Sequence, residues 1–438
     1  MTRHSRTMAT LLVSGAMIAA GTGAQCPSNG GMGATNNNGN TSGGGALNGL
    51  SIVLSGLSAD GDIRVDDHVI AVGTGENGGI EYVIPSEGTD VHSVTNSATL
   101  VESGFNVANG WIAARDFDGN VFLHNTGDES TMALPETQLS HFSGAAGTME
   151  FWADEAYIVT VADHNRVSDG HKIKFIDFSG ASPVITSFTQ DIPDQQGTSQ
   201  EIVLCAIDAD EKEILVLQTD VFYLYDMDNP TAAPHMLDVS SDGGATNAEQ
   251  FWYDAGKVIY HSRNTDNDNR RMVMIADLGT DTVTELSENP AAPASVYLLA
   301  GQFGYFTHQT DDDIITNQVA RSIWGEVNGA ITITETHDTD TLIADTREDG
   351  LIGYGLTLAI TKDGRFRFLA GGGAPNLAEY LQVSRNGGAF VAFPASASQH
   401  ANVDPDGVEA TEIVTSNAIC AFRTLTNNQM AYILLPQS

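Results

Sequence analysis

Three polar stretches concentrate the carboxylates that could hold a cation or a polar ligand: ADHNRVSDGHK (162–172), SRNTDNDNRR (262–271) and HQTDDDIITNQVAR (308–321). Asp163, Asp169, Asp266, Asp268, Asp311, Asp312 and Asp313 supply anionic oxygens there, with His164 and Asn317 nearby. Oxygen-rich loops are what a hard cation such as calcium needs. The spacing matches no defined ion-binding loop, however, and the loops of an acidic chain are acidic without any ligand. A plain solvated loop is the better-supported reading.

Two shorter patterns look like calcium loops. Asp116-Phe117-Asp118-Gly119-Asn120 begins like one but reads better as a hairpin turn. The run from Asn402 through Asp404, Asp406 and Gly407 follows the first half of the EF-hand pattern. Ile413 holds the place of its bidentate glutamate, with Glu412 one residue early, so Asn402, Asp404 and Asp406 make a weak metal site at most. His261 and His308 sit at matching places in two repeats and read as strand-end caps rather than ligands.

The elements that position these groups are strands. From Leu50 onward, short β-branched and aromatic runs alternate with turn residues, the rhythm of an all-β protein. FWADEAYIVTVADH at Phe151 recurs as FWYDAGKVIYHSRN at Phe251, matching Phe151, Trp152 and Asp154 to Phe251, Trp252 and Asp254. Beyond the loop, Ile173, Phe175 and Asp177 match Val273, Ile275 and Asp277, and FYLYDMDN between them places Asp226 at the same point. One unit is therefore about fifty residues, a period that signals a repeat architecture. In the Phe151 unit TMEFWAD, AYIVTVAD, KIKFIDF and PVITSF read as four successive strands. A small sheet apolar on both faces cannot close its own core, and stacking such sheets in a ring solves that problem.

The order of strand, Asp-containing turn, hairpin and apolar run ending in Asp resembles the WD-repeat propellers at the level of architecture. Only the Asp of that signature recurs, in FID, LYD and IAD, and no Gly-His pair recurs with it from unit to unit. The expected fold is a single β-propeller over residues 50–438, with eight four-stranded blades and a seven-bladed ring as the alternative. Its second strands are expected at Val69–Val72, Trp111–Ala114, Tyr157–Val161, Ile214–Leu217, Val258–His261, Tyr305–His308, Leu356–Ile360 and Ile419–Phe422. Leu381 to Phe393 reads as an extra hairpin. The last unit lacks a fourth strand, and Ser51-Ile52-Val53-Leu54 is expected to dock beside Leu434 and clasp the ring, removing a free sheet edge.

In that architecture the three acidic loops join second to third strands of the third, fifth and sixth units and share one rim. Glu150, Glu201 and Glu249 recur near the starts of three first strands, the innermost ones, and are candidates to line the channel. The chain has no GxSxG elbow, no HExxH and no Asp box of sialidase type. A binding or scaffolding module for a protein or glycan is thus expected. A calcium-dependent hydrolase of glycosidic or phosphate esters, using channel carboxylates, is the alternative.

Composition narrows the partners. With 56 acidic against 19 basic residues and a formal charge of −37, the chain lacks the positive footprint that nucleic acid or an anionic membrane surface requires. Arg3, His4 and Arg6 precede the apolar run Met8–Ala20 and the small residues Gly21–Ala24, the layout of a secretory signal peptide over residues 1–25. Residues 26–49 read as a flexible Gly/Asn/Ser tether. Cys26 stands where the lipidated cysteine of bacterial lipoproteins does, although Gln25 precedes it in place of a small residue. A lipid on Cys26 and plain cleavage are both open, and a lipid would be the only membrane attachment. A monomer exported to the periplasm, the surface or the medium is expected. Cys205 and Cys420 lie in apolar runs and read as buried hydrophobes, without a disulfide signature.

Overall fold

The computed structural model describes residues 47–58, 61–74, 79–94, 100–116, 121–134, 150–162, 172–190, 203–218, 220–242, 251–262, 273–286, 295–299, 302–309, 319–327, 331–338, 357–370, 381–388, 390–393, 410–424 and 429–437. They form eight four-stranded antiparallel sheets, each an up-and-down meander. The first strands are Ile63–Val65, Leu100–Ala108, Glu150–Asp154, Val203–Asp208, Phe251–Asp254, Ser295–Leu299, Thr357–Ile360 and Ala410–Thr415. Each contacts the next, and the eighth returns to the first. The chain is an eight-bladed β-propeller.

The blades are held by the faces between them. In blade 4, Ile214 and Val216 pack with Val159, Ile173 and Phe175 of blade 3. Their strand neighbours Leu215 and Leu217 point the other way, to Val258, Tyr260 and Leu278 of blade 5. Side chains alternate across a strand, so a strand buried on both faces must be apolar at every position. That is why Ile214–Leu217 and Tyr157–Val159 read as unbroken apolar runs. The Phe-Trp repeat divides in the same way: Phe151 packs toward blade 2 and Trp152 toward blade 4. Burying each such side chain stabilises the fold by about 1.5–3 kcal/mol.

The ring is clasped as the sequence predicts. The strand Ile52–Ser58 pairs antiparallel with Gln429–Leu434, Ile52 facing Ile433 and Val53 facing Tyr432, and completes blade 8. Ser55 Oγ also donates to the Met430 carbonyl at 2.9 Å. Ahead of it, Leu47 and Leu50 pack against the core between blades 7 and 8.

Blade 7 corrects the sequence reading. The run ending at Ile360, expected as a second strand, is the first strand, and the run to Leu369 is the second, Phe366–Ala370. The supposed extra hairpin supplies the third and fourth strands, Gln382–Arg385 and Val391–Ala392. Apolar runs in a meander look alike at any position, and the Asp363-Gly364 turn joins the first strand to the second. The repeated third-strand aspartates have a local task. Oδ1 of Asp177, Asp226 and Asp277 accepts the N–H of Ser179, Asp228 and Gly279, closing the turn into the fourth strand.

Two close approaches make testable joints. In blade 6, Phe303 faces Gly325 and Trp324 faces Gly304. A Cβ on Gly325 would lie 1.9 Å from Phe303 Cζ, and one on Gly304 2.4 Å from Trp324 Cζ3. Gly325→Ala and Gly304→Ala should each cost about 1–3 kcal/mol in urea unfolding, as overpacking does. Adding Phe303→Leu to the first should recover part of the loss.

Between blades 1 and 2, the ring of the buried His124 lies 3.0 Å from the Tyr82 hydroxyl through Nε2 and 2.8 Å from Thr131 Oγ1 through Nδ1. Burial holds the His124 pKa below the ordinary imidazole value. The unfolded chain therefore binds the proton first, and stability contributed by neutral His124 is lost as pH falls below about 6.5. His124→Gln should flatten that part of the pH–stability curve.

Candidate functional site at the mouth of the channel

The two rims of the disc differ. On one, first strands turn into second strands through short connections such as 109–110, 155–156 and 255–256. Asn109-Gly110 and Ala255-Gly256 both have positive φ at the two central positions, the tight turn that suits a hairpin. The strand ends that bound 163–171, 263–272, 310–318 and 339–356 open on the other rim, and the connecting residues themselves lie outside the described residues.

The short-turn rim is stitched from blade to blade. Asp66, at the end of the first strand of blade 1, caps its own turn with Oδ1, which accepts from His68 and Val69. Its Oδ2 accepts the Gly110 N–H of blade 2 at 2.7 Å. Asp208 repeats the device in blade 4: Oδ1 takes Asp210 and Glu211, and Oδ2 takes the Ala255 N–H of blade 5 at 2.9 Å. Asp154 of blade 3 accepts the Ala209 N–H of blade 4 at 2.8 Å. The seam beside the clasp uses the same chemistry: Ala418 N–H donates to Asp67, and Asp363 N–H to Asn417. These turn amides, of which Ala209 is buried, thereby find acceptors on the neighbouring blade.

One residue crosses the ring. Lys362, in the first turn of blade 7, reaches Asp154 Oδ2 at 3.0 Å and Glu155 Oε1 at 3.2 Å on blade 3, and Asp210 Oδ2 at 3.4 Å on blade 4. In a ring of eight, blade 7 stands opposite blade 3, so these contacts bridge the channel mouth. Burial pushes the Asp154 carboxyl up to about 7 against the pull of Lys362. Burial would lower the Lys362 ammonium, but Asp154, Glu155 and Asp210 outweigh it and hold the group above the ordinary lysine range. Asp154 Oδ1 is buried and has no hydrogen-bond partner.

Most candidates from the sequence lie outside the described residues: Asp163, His164, Asp169, Asp266, Asp268, Asp311, Asp312, Asp313, Glu201, Glu249, Asn402, Asp404, Asp406 and Cys26. Glu150 is the first residue of the innermost strand of blade 3, paired with Val161 at the end away from Asp154. His261 and His308 fall on second strands, paired with Val273 and Ala320. Among the described residues no group of three or more His, Cys, Asp or Glu is arranged to hold a metal. Cys205 and Cys420 are free, buried thiols in blades 4 and 8, and burial raises both pKa values. The mouth cluster was missed in the sequence. The recurrence of Asp at the ends of first strands, in Asp66, Asp154, Asp208 and Asp254, was its one legible sign; nothing local to Lys362 points across the ring.

Several solved structures are similar to the chain. BamB from Moraxella catarrhalis is 11% identical over 89% of this chain and 98% of its own, with a TM-score of 0.45. The computationally designed Ika8 protein is 10% identical over 87% of this chain and 100% of its own, TM-score 0.45. The propeller domain of Cps50 (Swd1) from Myceliophteria thermophila is 9% identical over 88% and 100%, TM-score 0.40. No protein-family model and no curated protein matches the chain.

Proposed function

We propose that the protein is an exported binding or scaffolding propeller that engages a protein or glycan through the rim of long connections. The observation that carries this reading is the contrast between the two rims. One is built from tight turns stitched to their neighbours, while the strand ends that bound the longest and most polar segments of the sequence open on the other. A rigid disc with variable loops on one side suits recognition, because the scaffold keeps the loops in place while their sequences vary. Export is supported by the basic, apolar and small-residue order at the N-terminus. The charge of −37 favours basic or neutral partners over polyanions.

The test replaces 163–171, 263–272 and 310–318, singly and together, by Asp-Gly turns. Binding is read by glycan array and by cross-linking to exported proteins of the host. Binding should fall with each replacement while the melting temperature stays within a few degrees. A ligand that binds the triple replacement as well as the parent would sink the reading. Melts with and without calcium test the acidic loops as ligands, since an ion bound to the folded state must raise its stability. Mass spectrometry of the mature N-terminus tests export and the lipid on Cys26 together.

A further inference from the structure

A tie that served only to stiffen the ring would need one carboxylate opposite Lys362. Three converge on it, Asp154 and Glu155 from blade 3 and Asp210 from blade 4. The cluster holds more anionic groups than its one ammonium can neutralise. Asp154 Oδ1 is a second and independent sign of an unfilled place. It is a buried acceptor without a donor, on a residue only 3% exposed. The equivalent oxygens of Asp66 and Asp208 each receive two backbone N–H groups from their own turns. Proteins rarely leave such an atom unmatched without a reason.

We propose that the channel mouth on the short-turn rim is a recognition site for an arginine side chain of a partner protein, and that Lys362 fills it in cis until displaced. A guanidinium presents parallel N–H groups that can engage both oxygens of one carboxylate, so it would satisfy Asp154 Oδ1 and Oδ2 together. The Lys362 ammonium reaches only Oδ2. Lys362 has a flexible four-carbon stem in a turn beside the exposed Asp363, and its side chain, 11% exposed, can swing outward without moving a strand. The strongly acidic chain draws cationic groups toward it. The site lies on the rim opposite the long connections and does not rest on the function proposed for them.

The test uses the full chain and methylguanidinium as probe, at constant ionic strength. Acylation of Lys362 by an amine-reactive ester is followed by peptide mass spectrometry, with the half-exposed Lys212 as the reactive reference and the buried Lys174 as the fold control. Lys362 should react at least tenfold more slowly than Lys212 without probe. Its rate should climb several-fold and saturate with methylguanidinium, but not with tetramethylammonium or sodium. Asp154→Asn should abolish the rise. In Lys362→Ala the probe should raise the melting temperature saturably, or the refolding yield if that variant is unstable alone. A Lys362 rate unmoved by the probe, or one that climbs only together with Lys174, overturns the proposal whatever the variant shows.

Discussion

Lys362→Met will destabilise the propeller by about 3–5 kcal/mol near pH 8, the cost of leaving a buried charge without its partner, and by much less near pH 6. At the higher pH the folded variant must either bury an unpaired carboxylate beside Glu155 or take up a proton that the unfolded chain has released, with the Ala209 N–H as the remaining donor. At the lower pH Asp154 can take a proton, and the missing ammonium matters less. The sign follows from linkage. The folded Asp154 pKa, about 7, is raised above the unfolded value of 3.8, so the folded state binds the proton more tightly between them. Stability from this group is full at low pH and is lost as pH rises through about 7. Removing Lys362 raises the folded pKa further and steepens that loss. Urea unfolding of both proteins at the two pH values measures it. Equal costs at both would show that Asp154 is not the group that suffers. The trend runs opposite to that of His124, whose neutral form is favoured by burial, so the two variants separate the contributions.

Deleting residues 47–58 will abolish the cooperative native state. The deletion removes the fourth strand of blade 8 and with it Ile52 and Leu57, both fully buried. It also strips the partly buried Leu47, Leu50 and Leu54 from the core between blades 7 and 8. Truncating one such aliphatic side chain to alanine costs about 2–5 kcal/mol, and whole domains hold only about 5–15 kcal/mol in reserve. The strand Gln429–Leu434 would then present an unpaired edge, which invites association between chains. Ile52→Ala and Leu57→Ala should each lower stability within the single-residue range and leave the oligomeric state unchanged. A synthetic peptide of residues 47–58 should restore part of the transition to the deletion variant. A deletion variant that melts as a monomer within a few degrees of the full chain would show that the ring closes without its clasp.

Local chemistry settled much of this protein before any fold existed. Ile214 to Leu217 are apolar at successive positions because both faces of that strand are covered, and the same run marks the strand in sequence. The Phe-Trp repeat and the aspartates at 177, 226 and 277 mark the unit length, since each blade solves the same packing and turn problem. The clasp was legible too, because an apolar strand without a partner at one end fits a sheet short of a strand at the other. What sequence could not order was blade 7, where four similar runs carry no mark of first or second place. Nor could it bring Lys362 to Asp154. That contact depends on the curvature of the whole ring, which sets blade 7 opposite blade 3, and no pattern within one blade encodes a distance across eight.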